Sequence, residues 1–247
     1  MGAVTMLTRT APTVLVAGGT GNVGGFIVDA LLARGATVIV PSRSEAKLAD
    51  LRRFLTRQGR ADDLDRLVTQ VGDPAGQHAA PELLDGLERR AGPVDAALAT
   101  LGHFRPAPSL LTAPAADLEA VLDGYLGAHM RVAQAVLPRL RVRGGRYVLV
   151  NGPLAFDVWP GSGAGLVSIA TAAQHMLFKA LAQEMRGAPV RVTELVIHAF
   201  IRDRTAQPRS PLSGEEMGGF AARVLLEPEG YDGETVNVRK GELEGVG

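Results

Sequence analysis

The chain has 247 residues, 46% of them hydrophobic and 21% charged, a size and balance suited to one α/β domain with a sizeable core. Its 26 lysines and arginines equal its 26 aspartates and glutamates, which argues against a large basic surface for nucleic acid. The absence of cysteine excludes disulfide and thiolate chemistry. No apolar stretch is long enough to span a bilayer, and the opening residues lack a signal-peptide core. The expectation is a cytoplasmic protein acting on a small molecule, with neither nucleic acid nor membrane as partner.

Short β-branched runs alternate with longer helical patterns, the signature of a parallel sheet covered on both faces. Strands are expected near Thr13–Ala17, Thr37–Val40, Leu67–Val71, Val94–Ala99, Arg146–Val150, Val190–Ile197 and Thr235–Val238. Helices are expected near Val23–Arg34, Ser44–Gln58, Pro81–Ala91, Ala115–Val142, Gly165–Arg186 and Gly214–Leu226. Ser44 suits an N-cap, Gly59 and Gly92 suit helix ends, and Pro138 should kink the fourth helix or mark its last turns. The whole reads as one Rossmann-type doubly wound domain over residues 1–247, with residues 1–12 and 239–247 as flexible tails. Three long loops, Leu101–Pro114, Gly152–Gly163 and His198–Ser213, leave the carboxyl ends of strands, the edge where open α/β sheets bind ligands.

The first strand breaks into Gly18-Gly-Thr-Gly-Asn-Val-Gly24, with glycines 18, 21 and 24 at the spacing of a dinucleotide loop. Such a loop needs one glycine for the turn, one for close approach to a pyrophosphate and one for helix–strand packing. The helix N-terminus adds free N–H groups and a partial positive charge. Thr20, Asn22 and Val23 lie within this loop. An acid that would bind a ribose 2′-hydroxyl is expected after the second strand, but Pro41-Ser42-Arg43-Ser44 stands there. Arg43, with Ser42 beside it, suits a 2′-phosphate, so the pattern favours NADP(H) over NAD(H). Asp73, after the third strand, is placed either to bond an adenine amino group or to serve as a turn residue before Pro74. The histidines and carboxylates show no metal-ligand spacing.

These residues together resemble the short-chain dehydrogenase/reductase family over nearly the whole chain. Gly144-Gly-Arg-Tyr-Val-Leu-Val150, Ala133-Gln-Ala-Val-Leu-Pro138, Leu181-Ala-Gln-Glu184 and Val190-Arg-Val-Thr193 are similar to its landmarks in order and spacing. The resemblance implies four catalytic groups: a tyrosine acid–base, a lysine four residues later, a serine on the preceding loop and an asparagine in the fourth helix. No Tyr-x-x-x-Lys occurs in this chain. The tyrosine slot falls on Val167, the lysine slot on Thr171, the asparagine slot on Tyr125, and the serine region on Asn151–Leu154. Thr100 opens the segment that follows the fourth strand and, with Thr171, is expected to keep part of the cofactor contact.

A well-placed acid or base contributes about 10²–10⁴ in rate, so the loss of tyrosine and lysine should leave little ordinary carbonyl reduction. Tyr125, His103 and His198 are the candidate replacement donors. The alternatives are a core role for Tyr125 and solvated positions for the two histidines. Three functions stay open: an NADPH-linked oxidoreductase of nonstandard mechanism, a non-catalytic dinucleotide sensor or assembly protein, and a non-redox cyclase or dehydratase. The family likeness also implies a homodimer or homotetramer built on the fourth and fifth helices, with Met176-Leu177-Phe178 on an exposed face.

Overall fold

The computed structural model describes residues 11–107, 109–202, 204–206, 212–227 and 230–240. Most of the two expected tails, residues 1–10 and 241–247, lies outside the described residues, as does part of the loop that follows Ile197. At the amino end, Pro12 already belongs to the fold, since its carbonyl accepts the Thr37 N–H at 2.9 Å.

A seven-stranded parallel sheet forms the centre: β1 (Thr13–Ala17), β2 (Thr37–Ser42), β3 (Leu67–Val71), β4 (Ala96–Ala99), β5 (Gly145–Asn151), β6 (Val190–Ile197) and, after a two-stranded hairpin of β7 (Ile201–Arg202) and β8 (Thr205–Ala206), β9 (Thr235–Val238). The spatial order is β3-β2-β1-β4-β5-β6-β9, so the winding reverses between β1 and β4. That reversal opens the crevice in which doubly wound sheets bind ligands. All seven expected strands are present within two residues of their expected bounds.

Period-two alternation distributes the strand side chains between two cores. Val14, Val16, Leu98, Val148 and Val150 face α1 (Asn22–Ala33), α2 (Glu45–Arg57) and α7 (Gly214–Leu226). Leu15, Ala17, Ala97, Ala99, Tyr147 and Leu149 face α3 (Ala80–Ala91), α5 (Ala128–Arg143) and α6 (Gly165–Glu184). Local chemistry sets the helix ends. The Ser44 hydroxyl accepts the Lys47 N–H at 3.3 Å, and Ser213 and Glu216 form a reciprocal capping box.

The helix expected over Ala115–Val142 is divided in a way its pattern does not signal. Between α4 (Ala115–Leu122) and α5, residues Asp123–Gly127 form a π-turn, with the Ala128 N–H reaching the Asp123 carbonyl. Pro138 sits inside α5, which continues to Arg143. The expected exposed run on α6 is corrected: Met176 is exposed, but Leu177 packs partly and Phe178 lies in the core.

The Tyr147 hydroxyl is buried on the α5–α6 side and has no hydrogen-bond partner among the described residues. An unpaired buried polar group costs about 1–3 kcal/mol. Tyr147→Phe is therefore expected to raise unfolding stability by about 1 kcal/mol, read as a higher urea midpoint at unchanged slope.

Candidate active site

The glycine loop joins β1 to α1 at the sheet crossover. Gly18 adopts φ +89°, and a side chain there would collide with the Thr100 carbonyl oxygen at the end of β4. A side chain on Gly24 would strike the Gly18 carbonyl. The Gly21 N–H donates to the Gly18 carbonyl at 2.9 Å, and Gly21 caps α1 with no side-chain hydrogen bond and no acid in the first turn. The result is a backbone cradle with its helix N–H groups open to an anion.

Around it, the Thr20 hydroxyl lies 3.4 Å from that of buried Ser42, which also accepts the Ser44 N–H at 3.3 Å. Arg43 is exposed beside them and forms no ion pair among the described residues. Val23 packs against the core below. Asp73 follows β3, and its Oδ1 accepts the Ala75 N–H at 2.9 Å, a turn role that engages one of its two carboxylate oxygens. Sequence reasoning missed Arg204. Its guanidinium donates to the Thr20 carbonyl at 3.0 Å and the Asp50 carbonyl at 2.9 Å, and lies 5.0 Å from the centre of the Phe54 ring. Asn22 Nδ2 donates to the Ile201 carbonyl at 3.4 Å, so the segment after β6 is fastened to the glycine loop at two points. No local spacing announces contacts between residues some 180 positions apart.

The far end of the crevice has a different character. Val167 is buried in an apolar cluster with Val121, Leu166 and Ala170, against which Tyr125 and Leu154 pack. The Tyr125 ring lies on Gly102, whose φ of +103° and missing side chain make room for it. Burial pushes the Tyr125 phenol up to about 12. Thr171 is buried, and its hydroxyl donates back to the Val167 carbonyl at 2.8 Å. The Ser168 hydroxyl is buried without a partner.

Polar groups are concentrated beneath this cluster. Asn151 donates to Glu194 Oε1 at 2.9 Å and to the Thr171 carbonyl at 3.1 Å. The fully buried Glu194 also accepts from Thr235 at 2.9 Å and pairs with His175 at 2.6 Å. His129, fully buried and held in its neutral form by desolvation, directs Nδ1 to the Tyr125 carbonyl at 2.9 Å. Nε2 lies 3.3 Å from the Ala99 carbonyl and 3.4 Å from Gln174 Nε2, and the neutral ring donates to one of the two carbonyls at a time.

The two histidines expected at the mouth separate. His103 is exposed in the loop after β4, whereas His198 Nε2 lies 2.8 Å from Asn237 Oδ1 on β9. Of the three candidate donors, Tyr125 is the one that packs beside the Val167 slot.

Residues 12–206 match the family described as short chain dehydrogenase, and the chain belongs to that family. It is 27% identical over 215 residues to 1-deoxy-11-beta-hydroxypentalenate dehydrogenase of Streptomyces avermitilis, covering 83% of this chain and 78% of that protein. Its fold is similar to that in the Pseudomonas aeruginosa RhlG/NADP active-site complex, with a TM-score of 0.78 at 20% identity over 95% of this chain and 98% of that one. It is also similar to a gluconate 5-dehydrogenase from Burkholderia cenocepacia in complex with NADP and tartrate, with a TM-score of 0.77 at 21% identity over 96% and 98% of the two chains.

Because the folded pKa of Tyr125 lies above the ordinary 10.0, its ionisation opposes the folded state. The stability it supports is complete below pH 10 and is lost as pH rises toward about 12. Absorbance at 295 nm should be the same for the folded protein and Tyr125→Phe up to about pH 11, with the missing phenolate appearing only on unfolding.

Proposed function

We propose that the protein is an NADP(H)-linked oxidoreductase whose active site lacks the family's tyrosine–lysine pair and uses Tyr125 as its hydrogen-bond donor. The observation that carries this reading is the pairing of a steric cradle at Gly18 and Gly24 with an apolar Val167 in the tyrosine slot. Gly18, Gly21 and Gly24, with the backbone at Thr20, Asn22 and Val23, would hold the pyrophosphate at the α1 N-terminus. Ser42 and the exposed Arg43 would take a 2′-phosphate, and the free oxygen of Asp73 the adenine amino group. Thr100 and Thr171 border the nicotinamide end, where Thr171 acts through its backbone and packing while its hydroxyl bonds its own helix. Bound NADPH supplies a hydride to a carbonyl carbon.

The chain's own contribution at the carbonyl oxygen is the Tyr125 hydroxyl. With its pKa raised to about 12 by burial, this group remains protonated at neutral pH. It can donate a hydrogen bond to an oxygen that gains charge, with solvent completing the proton transfer, so slow reaction with activated carbonyls is expected. His103 and His198 have no assigned part in this step. A second reading, in which the dinucleotide is a bound ligand and not a reactant, is favoured by the apolar packing of Val167, Leu166 and Ala170 where the family keeps ionisable groups. Family likeness supports a homodimer or homotetramer, and sedimentation as a clean monomer would remove that part.

Fluorescence titration should show NADPH binding more tightly than NADH. Arg43→Ala should weaken NADPH by about 10- to 100-fold, the worth of a charge-assisted contact, and leave NADH unchanged. Equal affinities in the native protein would remove the Arg43 assignment.

With activated ketones, Tyr125→Phe should lower kcat by about tenfold or more at nearly constant KM. The native rate should be flat from pH 6 to pH 9, a range whose upper end lies about three units below the phenol's pKa. An unchanged kcat in the variant makes solvent the donor, and no turnover at all favours the ligand-only reading.

A further inference from the structure

Large apolar side chains exposed to solvent are concentrated on the loops at the carboxyl edge of the sheet. Phe104 and Leu111 lie on the loop after β4, Phe156 and Trp159 on the loop after β5, and Phe200 on the loop after β6. Leu111 is 97% exposed and Trp159 50% exposed. Single exposed apolar residues are ordinary, but a concentration around one crevice marks a binding surface.

The first two loops make one continuous wall. The Ala107 N–H donates to the Gly163 carbonyl at 2.7 Å, and Leu110 packs on Gly165 at the start of α6. Two charged side chains, Arg105 and Asp157, lie on these loops. Arg105 pairs with Asp117 at 3.2 Å, and the Asp157 carboxylate accepts the Val158 N–H at 3.1 Å. Below the wall lies the buried apolar cluster of Val121, Leu166, Val167 and Ala170 with Leu154 against it, so apolar packing continues behind the exposed side chains. Tyr125 packs at that cluster's edge, and burial raises the pKa of its phenol.

We infer that the substrate is a bulky, hydrocarbon-rich ketone or alcohol of fused-ring or long-chain type, held by the loops after β4 and β5 through apolar contact and addressed at a single oxygen. The inference rests on the reading of this crevice as an oxidoreductase site. It accounts for a valine in the tyrosine slot: a ligand without charges gains from an apolar neighbour there, because burial of unpaired polar groups is costly. A small polar substrate would leave this wall wet and would offer nothing for Phe104 and Trp159 to cover.

Trp159 is the only tryptophan, so its emission reports on the wall directly. The purified protein is titrated with cyclohexanone and with 2-decalone, with and without saturating NADP⁺. Each methylene that becomes buried should tighten binding about fourfold. 2-Decalone is therefore expected to bind at least tenfold tighter than cyclohexanone, with a saturable blue shift at constant protein concentration. Phe104→Ser and Phe156→Ser, both at exposed positions and checked for folding by circular dichroism, should each weaken 2-decalone at least fivefold.

Equal affinity for the two ketones overturns the inference. So does a shift that tracks protein concentration, which assigns the wall to a second copy of the chain. A shift seen only with phosphatidylcholine vesicles assigns it to a lipid surface and overturns the inference as well. Failure of the dinucleotide to bind overturns the oxidoreductase reading alone, because the ketone gradient is read without cofactor. Turnover of small polar ketones with no ketone gradient overturns the substrate class alone.

Discussion

The approach of Gly18 to the Thr100 carbonyl is the constraint on which the site depends. It occurs where strand order reverses, between β1 and β4, which pair in parallel from Val14 with Ala96 to Ala17 with Ala99. The Thr100 N–H then donates to the Ala17 carbonyl at 2.9 Å, closing the ladder one residue beyond the strands. Any side chain at Gly18 would force the two strand ends apart. That movement would shift the cradle at one end of the crevice and, through Leu101 and Gly102, the seat of the Tyr125 ring at the other. One backbone contact thus sets the spacing between the glycine cradle and the Tyr125–Val167 end of the crevice.

The reacting end divides apolar from polar groups by depth. Valine and leucine occupy the positions beside the crevice, while Asn151, Glu194, His175 and Thr235 form a hydrogen-bonded set behind them. A buried carboxylate is tolerable only when its lone pairs are met, and Glu194 receives three side-chain partners from β5, α6 and β9. The set ties the sheet edge to α6 without placing an ionisable group at the crevice. His129 and Gln174 do the same between α5, α6 and β5, since Gln174 also donates to the Val150 carbonyl at 2.8 Å. These bonds fasten α6 to the sheet beneath an apolar cluster.

The π-turn at Asp123–Gly127 completes that wall. An extra residue in one turn rotates the side chains that follow, and such bulges are frequent at functional sites. Here it carries Tyr125 onto Gly102 while its carbonyl lies 2.9 Å from His129 Nδ1. The Arg131 guanidinium supports the turn from outside, donating to Asp123 at 2.7 Å and to the Ala75 carbonyl at 2.7 Å. Tyr125 is therefore held in place by the helix itself, braced on both sides.

The sequence by itself determined the seven parallel strands, the helix caps at Ser44 and the end at Gly92, and the glycine cradle. Each of these follows from local chemistry, namely alternation, capping and the missing Cβ. It also contains no Tyr-x-x-x-Lys, which is read from the order of residues and needs no tertiary information. Tertiary structure alone decided the rest. Asp73 spends one oxygen on a turn, the Thr171 hydroxyl turns back on its own helix, and His198 bonds Asn237. Arg204 closes on Thr20, and Glu194 gathers Asn151, His175 and Thr235. The π-turn was equally hidden, since an apolar period does not register one inserted residue. Partnerships between polar groups distant in sequence are set by which strand ends the sheet order brings side by side, and that order is a property of the packed core.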